Sequence, residues 1–306
     1  MRQLALFLCE LVFAFAAIPQ QPGWRPPAGR PTFDLWPNAA PGAPANSAPE
    51  VDITTASDIL IAGKPIVRLG NVSKPTLTLY SAQAPNSGAA IVVFPGGAYH
   101  VLAIDLEGSE VCDWLVTIHV NCVLVKYRVP DTGPLPQSTS ALQDAQRALG
   151  MVRSHAAEWH MDAHRIGVLG FSAGAHLSAA LSTHYDKRLY DPVDAADQLP
   201  CRPDFAVIVY PGYLALAEQN FAPNPEIHVT ADTPPSFIVQ SEDDSVHVEN
   251  ATLYFLQLKN AKVPAELHIY AEGGHGYGMR RTALPITAWP KLVEAWLHTT
   301  KMLPAQ

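Results

Sequence analysis

The stretch RIGVLGFSAGAHL, residues 165–177, decides how the rest of this 306-residue chain is organised. It begins with an apolar run of strand length, and the segment from Ala173 to Leu181 is rich in Ala, Leu and Ser, as suits a helix. Between them, residues 170–174 fit G-x-S-x-G, in which a serine stands on a tight turn between a strand and a helix. The turn exposes the hydroxyl of Ser172 at a helix N-terminus, where free N–H groups favour negative charge. We therefore expect Ser172 to be a nucleophile, provided that the chain also supplies an oxyanion loop, an acid and a base.

The composition is that of a globular protein with a sizeable core, with 48% hydrophobic and 16% charged residues. A formal net charge of -8 argues against nucleic acid as a partner, because phosphate binding requires a basic surface. Beyond the N-terminus, no apolar stretch is long enough to predict stable insertion into a membrane.

The first 17 residues are typical of a secretory signal peptide. Arg2 supplies a positive charge, Leu4 to Ile18 is mostly apolar, and the run AFAA at 14–17 offers small residues for cleavage. Glu10 is atypical of such an apolar run, and a poorly ordered hydrophobic tail is the alternative. We expect export, so that the protein would be secreted or periplasmic.

Residues 18–50 form a proline-rich segment that predicts an extended arm. Four large apolar side chains stand in it, so we expect part of the arm to pack on the folded domain: Trp24, Phe33, Leu35 and Trp36. That catalytic domain is predicted to span residues 51–306.

Strands and helices alternate along the domain. Apolar runs predict strands at 89–94, 121–127, 166–169, 205–210, 237–240 and 267–270, and periodic segments predict helices at 107–116, 138–160, 173–181, 249–260 and 290–300. This alternation predicts an α/β fold with a mostly parallel central sheet and helices on both faces. In such sheets the chemistry lies at the carboxyl ends of the strands.

One of the 12 histidines lies in a glycine-rich loop, EGGHGYG at 272–278, directly after the last predicted strand. Glycines on both sides leave room around the imidazole of His275, as a general base that must reach a hydroxyl requires. We expect His275 to be that base. His176 is expected to pack in the interior or to support the catalytic residues from behind, and His100 is expected at the rim.

An acid is expected on the loop after the penultimate strand, before His275 in the chain. That loop, SEDDSV at 241–246, holds three adjacent carboxylates. Asp243 lies three residues before a valine, a common arrangement, and is the predicted acid; Asp244 is the alternative. The acid would hold the imidazole in its working tautomer.

The oxyanion donors are expected in PGGAY at 95–99, which ends the first long buried strand. Small residues let backbone N–H groups turn toward a substrate oxygen, and we predict Gly97 and Ala98 as donors, with the N–H of Ala173 as the third. The order oxyanion loop, serine, aspartate, histidine turns several weak motifs into a specific pattern.

The cysteines give little information about the fold or the function. Cys9 lies in the apolar N-terminal run, and three more leave at least one thiol unpaired: Cys112, Cys122 and Cys201. We expect Cys112 on a helix and Cys122 on the next strand to be core residues, and a disulfide is not favoured. No Cys or His spacing resembles a zinc site, and we expect no metal and no cofactor.

With these motifs the chain resembles the α/β-hydrolase superfamily, and more narrowly the bacterial carbohydrate esterases of the acetyl xylan esterase, xylanase B-like and feruloyl esterase branch. The resembling stretches are LWPNAAPG (35–42), FPGGAY (94–99), KYRVP (126–130), the serine turn, VEN (248–250) and GGHGYG (273–278). Ala98 and Ala175 stand where the family usually has glycine, and the first would narrow the acyl pocket. His119 stands where a helix-ending glycine is common.

The resemblance implies a serine carboxylic-ester hydrolase that acts through an acyl-enzyme on acetyl or feruloyl esters of a plant polysaccharide such as xylan. Three tyrosines are candidate substrate contacts, each with plain packing as the alternative: Tyr99, Tyr213 and Tyr277. Leu214 to Ala231 is a candidate lid. A prolyl-oligopeptidase-like peptidase is a second hypothesis, disfavoured because the chain has no room for the propeller of those enzymes. A non-catalytic polysaccharide-binding protein on the same scaffold is a third, disfavoured by the complete triad. The sequence does not indicate an oligomeric state.

Overall fold

The computed structural model of the protein describes residues 21–44, 46–131 and 138–304. The predicted signal peptide at 1–17 lies outside the described residues, and so does Cys9. The helices are α1 (Glu110–Thr117), α2 (Thr139–Ser154), α3 (Ala173–Thr183), α4 (Glu249–Asn260) and α5 (Trp289–Thr299). The strands are β1 (Gln21–Pro22), β2 (Thr32–Asp34), β3 (Val51–Asp52), β4 (Arg68–Gly70), β5 (Thr76–Tyr80), β6 (Ala90–Phe94), β7 (Leu102–Ala103), β8 (Asn121–Lys126), β9 (Ile166–Phe171), β10 (Ala206–Val209), β11 (Ala215–Leu216), β12 (Ala222–Pro223), β13 (Ser236–Ser241) and β14 (Ala265–Tyr270).

Eight strands form the central sheet in the order β14-β13-β10-β9-β6-β8-β5-β2. The six strands from β14 to β8 are parallel, and β5 and β2 add an antiparallel edge. Every residue of β6, β9, β10 and β13 is buried. Because successive side chains of a strand point to opposite faces, both faces of these strands are covered. The predicted α/β class and the mostly parallel sheet are confirmed.

The N-terminal arm belongs to the same folded unit as the sheet. Its strand β2 pairs with β5 as the outermost strand of the central sheet. Leu35 and Trp36 are buried, and the indole Nε1 of Trp36 donates a hydrogen bond of 2.8 Å to Asp144 on α2. The arm therefore packs on the domain as expected, and the boundary drawn at Val51 separates residues that share one sheet.

Two predicted helices differ from the observed ones. A π-helical turn over Asp105–Ser109 precedes α1, where one regular helix from Glu107 was predicted, and this turn directs the Glu107 side chain into the interior. The helix predicted at 138–160 ends at Ser154, and the remaining residues form a turn in which Trp159 packs on Phe33 of the arm. In both places tertiary packing overrides the helical periodicity.

The cysteine prediction was wrong in one respect. Cys112 on α1 and Cys122 on β8 form a disulfide, since α1 packs beside β8 and brings the two Cα atoms within 5.2 Å. Cys201 is a free, buried thiol. His119 adopts φ +63°, the left-handed conformation that favours glycine at a helix end. None of the described helices combines the length and apolar character needed to cross a membrane.

Candidate active site

Ser172 stands on the turn between β9 and α3, at the carboxyl edge of the parallel strands. Its backbone has φ +52° and ψ -117°, a strained conformation for a residue with a side chain. The turn is possible because Gly174 lies against the end of β6: a Cβ there would be 2.0 Å from the carbonyl oxygen of Phe94. A Cβ on Gly170 would likewise be 2.0 Å from the carbonyl oxygen of Gly174, so the end of β9 and the first turn of α3 lie in close contact.

Ser172, His275 and Asp244 form a continuous chain of hydrogen bonds. The Oγ of Ser172 and the Nε2 of His275 are 2.9 Å apart, and the Nδ1 of His275 lies 2.9 Å from the Oδ2 of Asp244. An ionised carboxylate only accepts, so Nδ1 carries a proton and donates it to Asp244. The bare Nε2 is then free to accept the proton of the serine hydroxyl.

Asp244 is fixed by two further donors. Its Oδ1 accepts a hydrogen bond of 2.7 Å from the N–H of Val246, and its Oδ2 accepts one of 3.0 Å from the side-chain amide of Gln240. The Asp244 side chain is fully buried. These contacts leave the carboxylate one orientation, toward the imidazole.

The prediction that Asp243 contacts the imidazole was wrong. Asp243 is exposed, and its Oδ1 accepts a hydrogen bond of 2.8 Å from the N–H of Gly274, which lowers the pKa of its carboxyl group. The turn that follows β13 directs Asp244 inward and Asp243 outward, a geometry that spacing to a valine does not reveal. Asp243 instead ties the turn after β13 to the loop that carries His275.

The loop after β6 lies against the serine. A Cβ on Gly96 would be 2.9 Å from the Cβ of Ser172, and one on Gly97, which has φ +136°, would be 2.0 Å from the carbonyl oxygen of Val101. Within the described residues, the N–H groups of Gly97 and Ala98 donate no hydrogen bond. The N–H of Ala173 lies in the first turn of α3, where backbone donors lack helical partners. The three predicted oxyanion donors are thus on the two segments that meet at Ser172.

The three predicted substrate-contacting tyrosines have different surroundings. Tyr213 is 43% exposed and stacks on Tyr99 with ring centroids 6.1 Å apart. Tyr99 is buried, and its hydroxyl lies 2.8 Å from the Nδ1 of His176. Tyr277 is buried against Tyr210, at 4.5 Å between centroids, so its place is in the interior and not on a substrate-facing wall.

A cavity of about 530 Å³ has Tyr99 and Tyr213 in its wall, together with Val246, whose backbone N–H donates to Asp244. The β11–β12 hairpin, which belongs to the predicted lid, forms another side. The side-chain oxygen of Asn250 on α4 accepts hydrogen bonds of 2.8 and 2.9 Å from the N–H groups of Leu214 and Ala215. The hairpin is therefore anchored to the domain at its base.

His176 is buried beneath the cavity wall in its neutral form. Burial lowers the pKa of His176 to about 3. Its ring packs edge-on against both Tyr99 and Tyr213 at 5.8 Å between centroids. The expectation that His176 is a packing residue agrees with these contacts.

Three residues at the site were missed in the sequence: Glu107, Tyr210 and Gln240. Gln240 orients Asp244 from within β13, and the ring of Tyr210 packs edge-on against the imidazole of His275, with centroids 4.9 Å apart. Glu107 is buried, and its carboxylate accepts hydrogen bonds of 2.7 Å from the N–H of Gly96 and from the hydroxyl of Tyr210. Glu107 carried no specific signal in the sequence, because it stands among Asp105, Ser109 and Glu110 at the predicted helix start.

Comparison with known protein families agrees with the fold and with the site around Ser172. The family model described as BD-FAE matches residues 77–209, and the model of the prolyl oligopeptidase family matches residues 208–299. The chain belongs to the α/β-hydrolase superfamily, as its sequence motifs predicted.

Individual relatives narrow the comparison. The acetylxylan esterase of Xylanibacter ruminicola is 29% identical over 241 residues, which are 71% of this chain and 46% of that protein. The endo-1,4-beta-xylanase B of Butyrivibrio fibrisolvens is 29% identical over 66% of this chain and 34% of its own length. This chain thus spans about half or less of these curated relatives. The crystal structure of an acetyl ester-xyloside bifunctional hydrolase from Caldicellulosiruptor lactoaceticus is similar over 89% of this chain and 97% of that one, with 32% identity and a TM-score of 0.69.

Proposed function

We propose that this protein is a serine carboxylic-ester hydrolase that works through an acyl-enzyme. The observation that carries the proposal is the chain from Ser172 through His275 to Asp244, set against a loop in which the N–H groups of Gly97 and Ala98 donate no hydrogen bond within the described residues. A hydroxyl, a base that accepts its proton, an acid that orients the base and free backbone donors are the parts that acyl transfer requires.

In the first half of the proposed reaction, the Oγ of Ser172 attacks the ester carbonyl while Nε2 of His275 takes its proton. The carbonyl oxygen becomes an oxyanion, which the N–H groups of Gly97, Ala98 and Ala173 stabilise. Asp244 stabilises the imidazolium that results. The alcohol then leaves with the proton from His275, and the acyl group remains on Ser172.

In the second half, His275 takes a proton from water, and the hydroxide attacks the acyl-enzyme. The same donors stabilise the second oxyanion, and Ser172 leaves with the proton of the imidazolium. Loss of one such donor typically raises the barrier by about 3 kcal/mol.

The substrate we propose is an acetyl or feruloyl ester of a plant polysaccharide such as xylan. The names of the relatives support the xylan ester, and the cavity of about 530 Å³ walled by Tyr99 and Tyr213 supports a substrate larger than an acetyl group alone. The half-exposed ring of Tyr213 offers an apolar face to a sugar or an aromatic ring. A polymeric substrate outside the cell would suit the export that we propose for residues 1–17.

The test of the mechanism is Ser172→Ala assayed on p-nitrophenyl acetate. We expect the turnover of the variant to fall to the background rate, and undiminished turnover would refute the mechanism. Release of acetate from acetylated xylan, compared with release of ferulate from feruloylated arabinoxylan, then identifies the acyl group.

The match of residues 208–299 to the prolyl oligopeptidase family favours peptide hydrolysis as a second candidate function. A comparison of a prolyl peptide substrate with the ester of matched leaving group separates the two, and we expect the ester to be preferred. A third candidate, a polysaccharide-binding protein without activity, requires that Ser172 does not react with a fluorophosphonate probe.

A further inference from the structure

Glu107 is a buried carboxylate that the reaction described above does not use. It lies on the π-helical turn before α1 and is 4% exposed. Its Oε2 accepts the N–H of Gly96, the second residue of the oxyanion loop, at 2.7 Å. A Cβ added to Gly96 would lie 2.7 Å from this same Oε2 and 2.9 Å from the Cβ of Ser172. Glu107 therefore stands directly behind the backbone that faces the nucleophile.

The other carboxylate oxygen of Glu107 leads to the histidine. Oε1 accepts the hydroxyl proton of Tyr210 at 2.7 Å, and the oxygen of Tyr210 accepts the N–H of Gly278 at 3.0 Å. Gly278 lies on the loop that carries His275, and the ring of Tyr210 contacts the imidazole. One buried side chain thus connects the oxyanion loop, the residue that follows β10 and the loop that carries His275.

The hydrogen bonds around Glu107 indicate that its carboxyl group is ionised. Gly96 supplies an N–H, and Tyr210 already accepts from Gly278, so its own proton points to Glu107. Both carboxylate oxygens receive a donor, which is the pattern that an ionised carboxylate requires. Burial raises the pKa of Glu107, and the two donors and the charge of His275 oppose that rise.

We propose that Glu107 is a positioning residue that holds the oxyanion loop against Ser172 and stabilises the protonated imidazole of His275; this inference rests on the proposed function. The imidazolium exists only while the reaction is under way, so a fixed negative charge near it favours the transition state over the resting enzyme. Asp244 stabilises the imidazolium through its direct hydrogen bond to Nδ1. Glu107 stabilises it from a greater distance, with the ring of Tyr210 between the carboxylate and the imidazole.

Other charged and titratable groups also lie near Glu107 and His275, and each could alter the stability of the imidazolium. Asp105 raises the pKa of Glu107, but its own charge is paired with Arg280 at 2.9 Å. The remaining groups that act on Glu107 or His275 are the phenols of Tyr127, Tyr210 and Tyr277, whose pKa values burial raises well above the ordinary value, and the carboxylate of Asp244. These phenols stay neutral throughout the working range, so Glu107 and Asp244 are the buried carboxylates that act on the base, while Asp243 lies at the surface on the N–H of Gly274.

The test measures how fast a fluorophosphonate probe labels Ser172 as a function of pH, because labelling requires the unprotonated base. Glu107→Gln keeps the shape of the side chain and removes its charge, so the imidazolium of His275 loses a stabilising negative charge and the unprotonated base is favoured. We expect the acid limb of the profile to move to lower pH by about half a unit or more, with a rate at least about 10-fold lower on the plateau. Tyr210→Phe removes a donor from Glu107 but keeps the charge, so we expect its acid limb to move to higher pH.

Asp113→Asn, a change at a side chain on α1 that is 62% exposed, is the matched control and should leave the profile unchanged. Opposite shifts in the two variants support the proposal. An unmoved limb in Glu107→Gln overturns it, even if that variant is slower or melts earlier, because that is the outcome of a purely structural role. If Glu107→Gln does not fold, Tyr210→Phe alone tests the proposal. An acid limb that stays in place or moves to lower pH in Tyr210→Phe then overturns it. Failure of the wild-type protein to label at any pH refutes the proposed function itself, and this inference with it.

Discussion

Asp244 and His275 are joined by a hydrogen bond of 2.9 Å between Oδ2 and Nδ1, while the neighbouring Asp243 faces solvent. Two adjacent carboxylates therefore have different tasks. Asp244 orients the imidazole from a buried position, and Asp243 accepts the backbone N–H of Gly274 at the surface. Both contacts hold the same loop, but only one of them reaches the base.

The first prediction separates the two carboxylates. Asp244→Asn presents an amide to Nδ1 and favours the wrong tautomer, so we expect kcat on p-nitrophenyl acetate to fall by about 10⁴-fold. Asp243→Asn keeps an oxygen that accepts from Gly274, and we expect its kcat to stay within a few-fold of wild type. Steady-state kinetics of both variants provide the measurement. Equal losses in the two variants would contradict the assignment of Asp244.

The second prediction concerns the oxyanion loop. Gly97→Ala would place a Cβ 2.0 Å from the carbonyl oxygen of Val101, so the loop must move and the N–H groups of Gly97 and Ala98 lose their direction. We expect kcat to fall by about 100-fold or more. Gly63→Ala is the control: Gly63 also has a positive φ, +76°, but nothing lies within 4 Å of its added Cβ. It should cost about 1 to 2 kcal/mol of stability and leave kcat unchanged. Steady-state kinetics and urea unfolding of both variants show whether the loss of kcat comes from the steric clash or from the positive φ alone.

The third prediction is a pH dependence of stability caused by His176. The pKa of His176 is about 3 in the folded protein, against 6.5 as the ordinary value, because the ring is buried. The unfolded chain therefore takes up a proton below pH 6.5 that the folded protein does not bind, so stability present above pH 6.5 is lost as the pH falls toward 3. Between pH 7 and pH 5 this group should remove about 2 kcal/mol from the free energy of unfolding.

The measurement compares wild type with His176→Gln by urea unfolding at pH 7 and pH 5. We expect the loss of stability over this range to be smaller in the variant by about 2 kcal/mol. The exposed His164 is the control, and His164→Gln should follow the wild type. Identical pH dependence in His176→Gln and wild type would show that the ring is not held neutral.

The sequence predicted the parts of the fold that depend on local patterns. Apolar runs of strand length indicated the buried strands, and G-x-S-x-G together with a glycine-rich histidine loop indicated Ser172 and His275. The parts that it did not predict depend on contacts between distant segments. Asp244 and Asp243 are indistinguishable until the turn after β13 is known, and Glu107 gains its surroundings only when a π-helical turn directs it toward Gly96, 11 residues away. The disulfide likewise follows from the packing of α1 on β8, not from the spacing of its cysteines.

The N-terminal arm is a second case in which the sequence predicted a segment but not its contacts. Its proline-rich composition indicated an extended segment, but not the residues that hold it on the domain. Asp144 on α2 is fully buried and accepts hydrogen bonds from the indole of Trp36 at 2.8 Å and from the backbone N–H of Arg128 at 2.9 Å. The guanidinium of Arg128 completes a buried ion pair with Asp144 at 2.9 Å. One carboxylate thus fastens the arm to the helix and to the chain just after β8.

The fourth prediction follows from that contact. Asp144→Asn leaves the buried guanidinium of Arg128 without its counter-charge, and we expect the free energy of unfolding to fall by about 3 to 5 kcal/mol. Trp36→Phe removes one hydrogen bond to a charged acceptor and keeps most of the ring packing, so it should cost about 1.5 to 3 kcal/mol. Asp162→Asn breaks the half-exposed ion pair with Arg165 and should cost at most about 1 kcal/mol. Urea unfolding followed by circular dichroism ranks the three variants, and a cost for Asp144→Asn no larger than that for Asp162→Asn would mean that the buried pair does not hold the arm in place.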